Sequence, residues 1–160
     1  MAAAPPPKKR LGQHFLVDQN IVRKIVAAAS LQPHEIVLEI GPGRGILTRA
    51  LCGRAQRVLA IEVDRSLGDT LKDALAGCAN VELRFGDALD YSYGSLVPGT
   101  VVVANLPYNV SSPLLFRLLE AHGQIDRMVL MLQTEVARRL VAGPGTKDYG
   151  ILSVLTQYRT

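Results

Sequence analysis

A chain of 160 residues with nearly half its residues apolar has the length of one domain and a globular composition, which excludes a disordered chain. No apolar run approaches the ~20 residues of a membrane helix, and the alanine- and proline-rich start lacks the apolar stretch of a secretory signal. The net charge of +4 is uneven: residues 1–60 carry nine Lys and Arg against Asp18, Glu35 and Glu39, while the remaining hundred residues are slightly acidic.

The positive excess is therefore N-terminal, as on a face that meets a polyanion. Residues 1–10, ending in Lys8-Lys9-Arg10, read as a disordered basic arm. Charge alone favours a solvated tail there. Cys52 and Cys78 stand far apart without CxxC spacing, so neither a disulfide framework nor a zinc site is expected. A reducing, cytoplasmic setting fits, and no metal is expected.

After the arm, Asp18 is placed to cap a helix reaching about Leu31, with Ile21, Val22, Ile25, Val26 and Ala29 on one face. Strands and helices then alternate. Short apolar runs at residues 36–40, 58–62, 81–85, 101–104 and 128–132 suit strands buried on both faces of a parallel sheet. Helical patterns cover residues 46–53, 66–76, 113–121, 134–141 and about 150–158, with Ser112 as the expected cap of the third. The alternation predicts an α/β, doubly wound, mostly parallel sheet, whose ligands bind beyond the carboxyl ends of its strands.

The first of those ends carries Glu39-Ile40-Gly41-Pro42-Gly43-Arg44-Gly45. A dinucleotide loop would be G-x-G-x-x-G, but Ile46 stands at the third glycine's place, so the spacing is G-x-G-x-G. Glu62 ends the second strand, where a carboxylate accepts both hydroxyls of a ribose. Asp87 follows the third strand, in reach of an adenine amino group, and Asn105 follows the fourth. Alone, each reads equally well as a turn, a cap or a solvated loop residue. Together at four strand ends they point to an adenosine-bearing ligand, S-adenosylmethionine.

The segment Asn105-Leu106-Pro107-Tyr108 supplies the chemistry. The exocyclic amine of adenine is a poor nucleophile because its lone pair is delocalised into the ring. Two acceptors, the Asn105 amide oxygen and the Leu106 carbonyl, favour its pyramidal form and aim the lone pair at a methyl group. Pro107 stiffens the turn, and Tyr108 offers a ring on which an extruded base stacks. Positioning alone supplies roughly 7–11 kcal/mol of such a barrier, so no general base is required.

With these motifs in hand, the chain resembles the ribosomal RNA adenine dimethylase family, and within it the branch acting on 16S rRNA. The resemblance runs from Lys8 onward. It rests on Leu11-Gly12-Gln13-His14-Phe15-Leu16-Val17-Asp18, the glycine loop, Glu62-Val63-Asp64, Gly86-Asp87-Ala88, Asn105 through Ser111, Leu132 through Ala137, and Lys147-Asp148-Tyr149-Gly150. It implies a Rossmann-like methyltransferase fold that uses S-adenosylmethionine and releases S-adenosylhomocysteine. His14 and Leu16 would line the cofactor pocket, with Gly41 and Gly43 against the methionine part. Glu62 would hold the ribose, Asp87 the adenine, and Asn105 both cofactor and target base.

The implied reaction is transfer of two methyl groups to N6 of each of two adjacent adenosines near the 3′ end of 16S rRNA, within the small ribosomal subunit or its precursor, as part of subunit maturation. The alternatives are a 23S rRNA adenine N6-methyltransferase, a non-catalytic RNA-binding assembly factor, and a small-molecule methyltransferase. The last gives no reason for the basic N-terminus. Beside a cofactor-closing segment, Lys8, Lys9 and Arg10 are expected to contact RNA phosphates. The family's sheet continues past Thr160 into further strands and a helical C-terminal domain. Residues 11–160 are therefore expected to be a truncated catalytic domain with a weak grip on ribosomal particles.

Overall fold

The structure is a computed structural model that describes residues 5–159. Five strands, β1 (Ile36–Ile40), β2 (Arg57–Glu62), β3 (Val81–Phe85), β4 (Thr100–Asn105) and β5 (Ile125–Met131), form one parallel sheet in the order β3-β2-β1-β4-β5. Six α-helices accompany them among the described residues: α1 (Gln19–Ala29), α2 (Ile46–Cys52), α3 (Gly68–Ala74), α4 (Ser111–Glu120), α5 (Thr134–Val141) and α6 (Ile151–Arg159). The doubly wound sheet expected from the alternation is thus observed. β1 has β2 on one side and β4 on the other, so the chain reverses its direction of winding there. The ends of these strands frame the crevice where such folds bind ligands.

The apolar runs work as two-faced strands because successive side chains point to opposite sides. Val37, Val58, Val101 and Val103 pack on one face against Val22, Ile25 and Val26 of α1 and Leu47 and Leu51 of α2. Leu38, Ile40, Leu59, Ile61, Val102 and Ala104 pack on the other against Leu114 and Leu118 of α4, with Tyr93 and Leu96. Each such fully buried aliphatic side chain is worth about 1.5–3 kcal/mol relative to exposure, so the sheet and its two helical layers stabilise one another. α1 starts where Asp18 accepts from the Asn20 N–H (2.7 Å) and stops at Ser30 in the left-handed conformation.

Some boundaries differ from the sequence reading. β5 begins at Ile125, earlier than the apolar run, because Thr100 pairs with Ile125 ahead of a register shift. Asp126 and Arg127 hid that start in the sequence. The pattern over 66–76 divides into a 3-10 turn, Arg65–Leu67, and α3. Ser112 does not cap α4. The N-cap is Val110, without a side-chain bond, and the Ser111 hydroxyl donates instead to the Tyr108 carbonyl (3.1 Å).

The cysteines also correct an expectation. Cys52 closes α2, Cys78 lies in the turn before β3, and the two form a disulfide with Cα atoms 6.0 Å apart. They meet because Asn80 fastens that turn to the end of α2, donating to the carbonyls of Cys52 and Ala55 (both 2.9 Å).

Arg127 ties β5 to the end of α1. Its guanidinium donates to the Ala29 carbonyl (2.8 and 2.9 Å) and to both oxygens of Glu35 (2.7 Å each). These bonds satisfy a helix-end carbonyl and hold the Glu35 carboxyl well down, from 4.5 to about 2. Arg127→Ala should lower the unfolding free energy by about 2 kcal/mol at neutral pH. The native pKa is depressed, so the ion pair contributes fully above the ordinary carboxylate pKa and is lost as pH falls toward 2. Denaturant melts of both proteins should show the gap narrowing over that interval.

Candidate active site

At the carboxyl end of β1 the chain turns through Gly41, Gly43 and Gly45, all at positive φ (71°, 59° and 78°). The three glycines serve different ends. A Cβ on Gly43 would stand 3.0 Å from Phe15 Cδ1, so this glycine lets the N-terminal segment lie on the loop. A Cβ on Gly45 would press on Leu71 and Ala74 of α3, at 3.3 and 3.2 Å. Gly41 and Gly43 both line the cavity, together with Ile40, Pro42 and Arg44. The G-x-G-x-G spacing therefore leaves open space at Gly41, a close approach to Phe15 at Gly43 and one to a helix at Gly45.

Three carboxylates line the same cavity. Glu62 is buried and accepts from the Gly43 N–H (3.0 Å) and the Asp64 N–H (2.9 Å). Burial raises its pKa, and these backbone donors oppose the rise. Asp87 accepts from the Leu89 N–H (2.9 Å), capping the 3-10 turn Ala88–Asp90 at the cavity wall. Glu39 lies on the floor, buried, and its Oε2 has no hydrogen-bond partner among the described residues. Burial pushes its carboxyl up to about 8; the Thr48 hydroxyl beside it pulls the other way, and the Glu62 charge adds to the rise.

That orphaned oxygen tests whether the expected cofactor fits. A buried carboxylate without a partner costs several kcal/mol unless it takes a proton or meets a cation. S-adenosylmethionine carries an ammonium and a sulfonium beside a ribose diol and an adenine. A floor of two carboxyl groups, Glu39 and Glu62, suits that charge, and the acceptors at the strand ends suit the ribose hydroxyls and the adenine amino group.

Asn105, Leu106 and Pro107 form another wall of the cavity. Asn105 Nδ2 donates to the His14 carbonyl (3.0 Å), and its Oδ1 takes no donor among the described residues. The carbonyls of Pro107 and Tyr108 accept from the Val110 N–H (3.3 Å) and the Ser111 hydroxyl (3.1 Å). That of the buried Leu106 accepts none among the described residues. The two acceptors the chemistry calls for are thus the two left unused. Tyr108 stands outside the cavity, 47 % exposed, with one ring face stacked on His14 (centroids 4.3 Å apart).

His14 and Leu16 line the cavity, along with Leu11, Gln13 and Phe15. The basic arm is corrected in part. Residues 1–4 lie outside the described residues, but residues 5–10 rest on the domain. Arg44 donates to the Pro5 carbonyl (3.0 Å), and Lys8 pairs with Asp64 at 2.6 Å. Lys8 is therefore not a free cation awaiting phosphate; Lys9 and Arg10 remain exposed.

A family model described as ribosomal RNA adenine dimethylase matches residues 6–160. The chain belongs to the ribosomal RNA adenine dimethylase family. Its relatives include ribosomal RNA small subunit methyltransferase A of Moorella thermoacetica, 50% identical over 165 residues, an alignment covering 96% of this chain and 57% of that protein. The corresponding protein of Deinococcus radiodurans is 50% identical over 149 residues, covering 93% of this chain and 50% of its own. The chain thus spans little more than half the length of these relatives.

Solved structures agree. A dimethyladenosine transferase from Plasmodium falciparum superimposes with a TM-score of 0.81 at 35% identity, over 90% of this chain and 52% of that one. The 23S rRNA methyltransferase ErmE gives 0.75 at 35% identity, over 89% and 55%.

Sequence reasoning missed Glu39 and Phe15, which also line the cavity. Glu39 offered a signal, an acid inside a buried strand two residues before the glycine loop. Its raised pKa gives a stability test. The native carboxyl takes its proton more readily than the unfolded one, so Glu39 destabilises the fold progressively as pH rises from 4.5 toward about 8. Glu39→Gln should melt several degrees above the parent at pH 8.5 and match it near pH 4.5. Parallel melting curves at both pH values would contradict a buried, unpaired carboxyl.

Proposed function

We propose that this domain transfers methyl groups from S-adenosylmethionine to N6 of adenosines in small-subunit rRNA, two adjacent adenosines near the 3′ end of 16S rRNA, during maturation of the subunit in the cytoplasm. The observation that carries this reading is the pair of unused acceptors, Asn105 Oδ1 and Leu106 O, beside a cavity built for an adenosine-bearing cation. The names of the relatives, small subunit methyltransferase A and dimethyladenosine transferase, support the choice of rRNA and of adenine.

When bound, S-adenosylmethionine supplies a methyl group on a sulfonium, whose departure leaves a neutral thioether. Glu62, held by two backbone N–H groups, keeps lone pairs for the ribose hydroxyls, and Asp87 accepts from the adenine amino group. Glu39, once ionised, faces the cationic tail. Gly41, without a Cβ, lets the methionine part approach the backbone. Asn105 Oδ1 and Leu106 O hold the two hydrogens of the target amine, so its lone pair points along the line of transfer. Tyr108 receives the extruded base on the ring face that His14 leaves open. The amine sheds its proton after transfer, when it is strongly acidic, which removes the need for a positioned base.

For RNA, the exposed Lys9 and Arg10 are the proposed phosphate contacts. Replacing both with alanine should weaken RNA binding and reduce the slope of log affinity against log salt by about 2. An unchanged slope would remove both residues from the interface.

The reaction itself is tested by incubating the chain with radiolabelled cofactor and small-subunit RNA, then mapping the labelled nucleotide. Label should appear on adenine N6, and Asn105→Ala should reduce the rate by about hundredfold. Label in large-subunit RNA would favour the 23S reading. RNA binding without label would favour an assembly role.

A further inference from the structure

The N-terminal segment, residues 5–17, is fastened on two sides of the cavity. On the β2 side, Lys8 Nζ donates to Asp64 Oδ1 (2.6 Å) and to the Ser66 hydroxyl (2.7 Å), and Gln13 Nε2 donates to Asp64 Oδ2 (2.9 Å). The Gln13 side chain also accepts from the Lys8 N–H (2.8 Å), so Lys8 and Gln13 grip the carboxylate as one unit. On the β4 side, the His14 carbonyl accepts from Asn105 Nδ2, and the Arg10 carbonyl accepts from Asn109 Nδ2 (3.4 Å). Beyond the short turn Lys9–Leu11 the segment has no secondary structure of its own, so the position of the His14 carbonyl depends on these contacts together with the packing of Phe15 on Gly43 and Arg44.

Asp64 is suited to be the fixed end. Its side chain is 5 % exposed. Burial opposes its charge, but Lys8, Ser66 and Gln13 more than offset this and hold its pKa below the usual carboxylate range. Its own N–H is committed to Glu62, so it is anchored by main chain and side chain alike.

The other end bears on chemistry. An asparagine amide presents either oxygen or nitrogen to a given neighbour, and only the oxygen accepts from an amine. The His14 carbonyl is purely an acceptor, so it selects Nδ2 and turns Oδ1 the other way. We infer that Asp64 is a positioning residue for methyl transfer: by latching the N-terminal segment through Lys8 and Gln13, it keeps the His14 carbonyl where it orients the Asn105 amide for the target amine. This rests on the proposed function and deepens it. It also gives Lys8 an internal partner in place of RNA.

The test compares Lys8→Met, Asp64→Asn and the double variant with the parent chain, using S-adenosylmethionine and small-subunit RNA. A direct electrostatic role toward RNA makes the single variants differ in sign, because Asp64→Asn makes the protein more positive and Lys8→Met less so. The latch makes them alike. Each should lower kcat roughly tenfold at saturating cofactor and RNA, the double variant should lose no more than either single one, and Lys8→Arg should retain activity. Melting temperatures should fall when the pair is broken, most in Lys8→Met, which leaves the buried Asp64 without its cation. The kcat values are therefore compared well below every melting point, where hydrogen exchange in residues 8–17 should speed up equally in all three. Opposite effects, additive losses or a kcat indifferent to all three would overturn the positioning role. An unsubstituted chain that transfers no methyl group at all would instead overturn the proposed function, and this role with it.

Discussion

The Glu62 carboxylate lies out of water at the end of β2, and two parts of the molecule take their positions from it. Its oxygens accept from the Gly43 N–H of the glycine loop and from the Asp64 N–H at the start of the next turn. Each such charge-assisted bond is worth about 1.5–3 kcal/mol, comparable with the several kcal/mol that desolvating the carboxylate costs. These donors oppose burial without cancelling it, since the Glu62 pKa is raised. The same group that shapes the loop is ready to gain from further donors, as a ribose diol provides.

Asp64 shows the opposite balance two residues away. There the ammonium of Lys8 and the amide of Gln13 outweigh burial, and the carboxylate is firmly ionised. Glu39 shows a third outcome, a carboxyl with no partner at Oε2 among the described residues, its pKa pushed up by burial to about 8. Burial thus raises two of these carboxyls, Glu39 and Glu62, while the third, Asp64, is charged and paired. The first two face the place where a cationic ligand belongs, and the third fastens the segment beside it.

Most of the fold was legible because it rests on local pattern. Runs such as Val37-Leu38-Glu39-Ile40 have no side that tolerates water, so a strand covered on both faces was the economical reading, and the two cores bear this out. The strand ends followed, and with them Gly41, Glu62, Asp87 and Asn105 around one cavity. What stayed hidden depends on partners far apart in sequence. Lys8 meets Asp64 across 56 residues, and nothing near Lys8 distinguishes a paired lysine from a solvated one. Cys52 and Cys78, 26 residues apart, meet only once Asn80 has fastened the β3 turn to α2. The start of β5 was masked because Arg127 reaches out of its strand to the end of α1.

Calorimetric titration of the chain with S-adenosylmethionine, beside the Glu62→Ala variant, tests the central claim that the glycine loop and Glu62 together make the cofactor site. The parent should bind one equivalent. The variant, shown by circular dichroism to remain folded, should bind at least tenfold more weakly, since it loses both the ribose acceptor and the tie to Gly43. Equal heats and equal affinities in the two proteins would contradict the account.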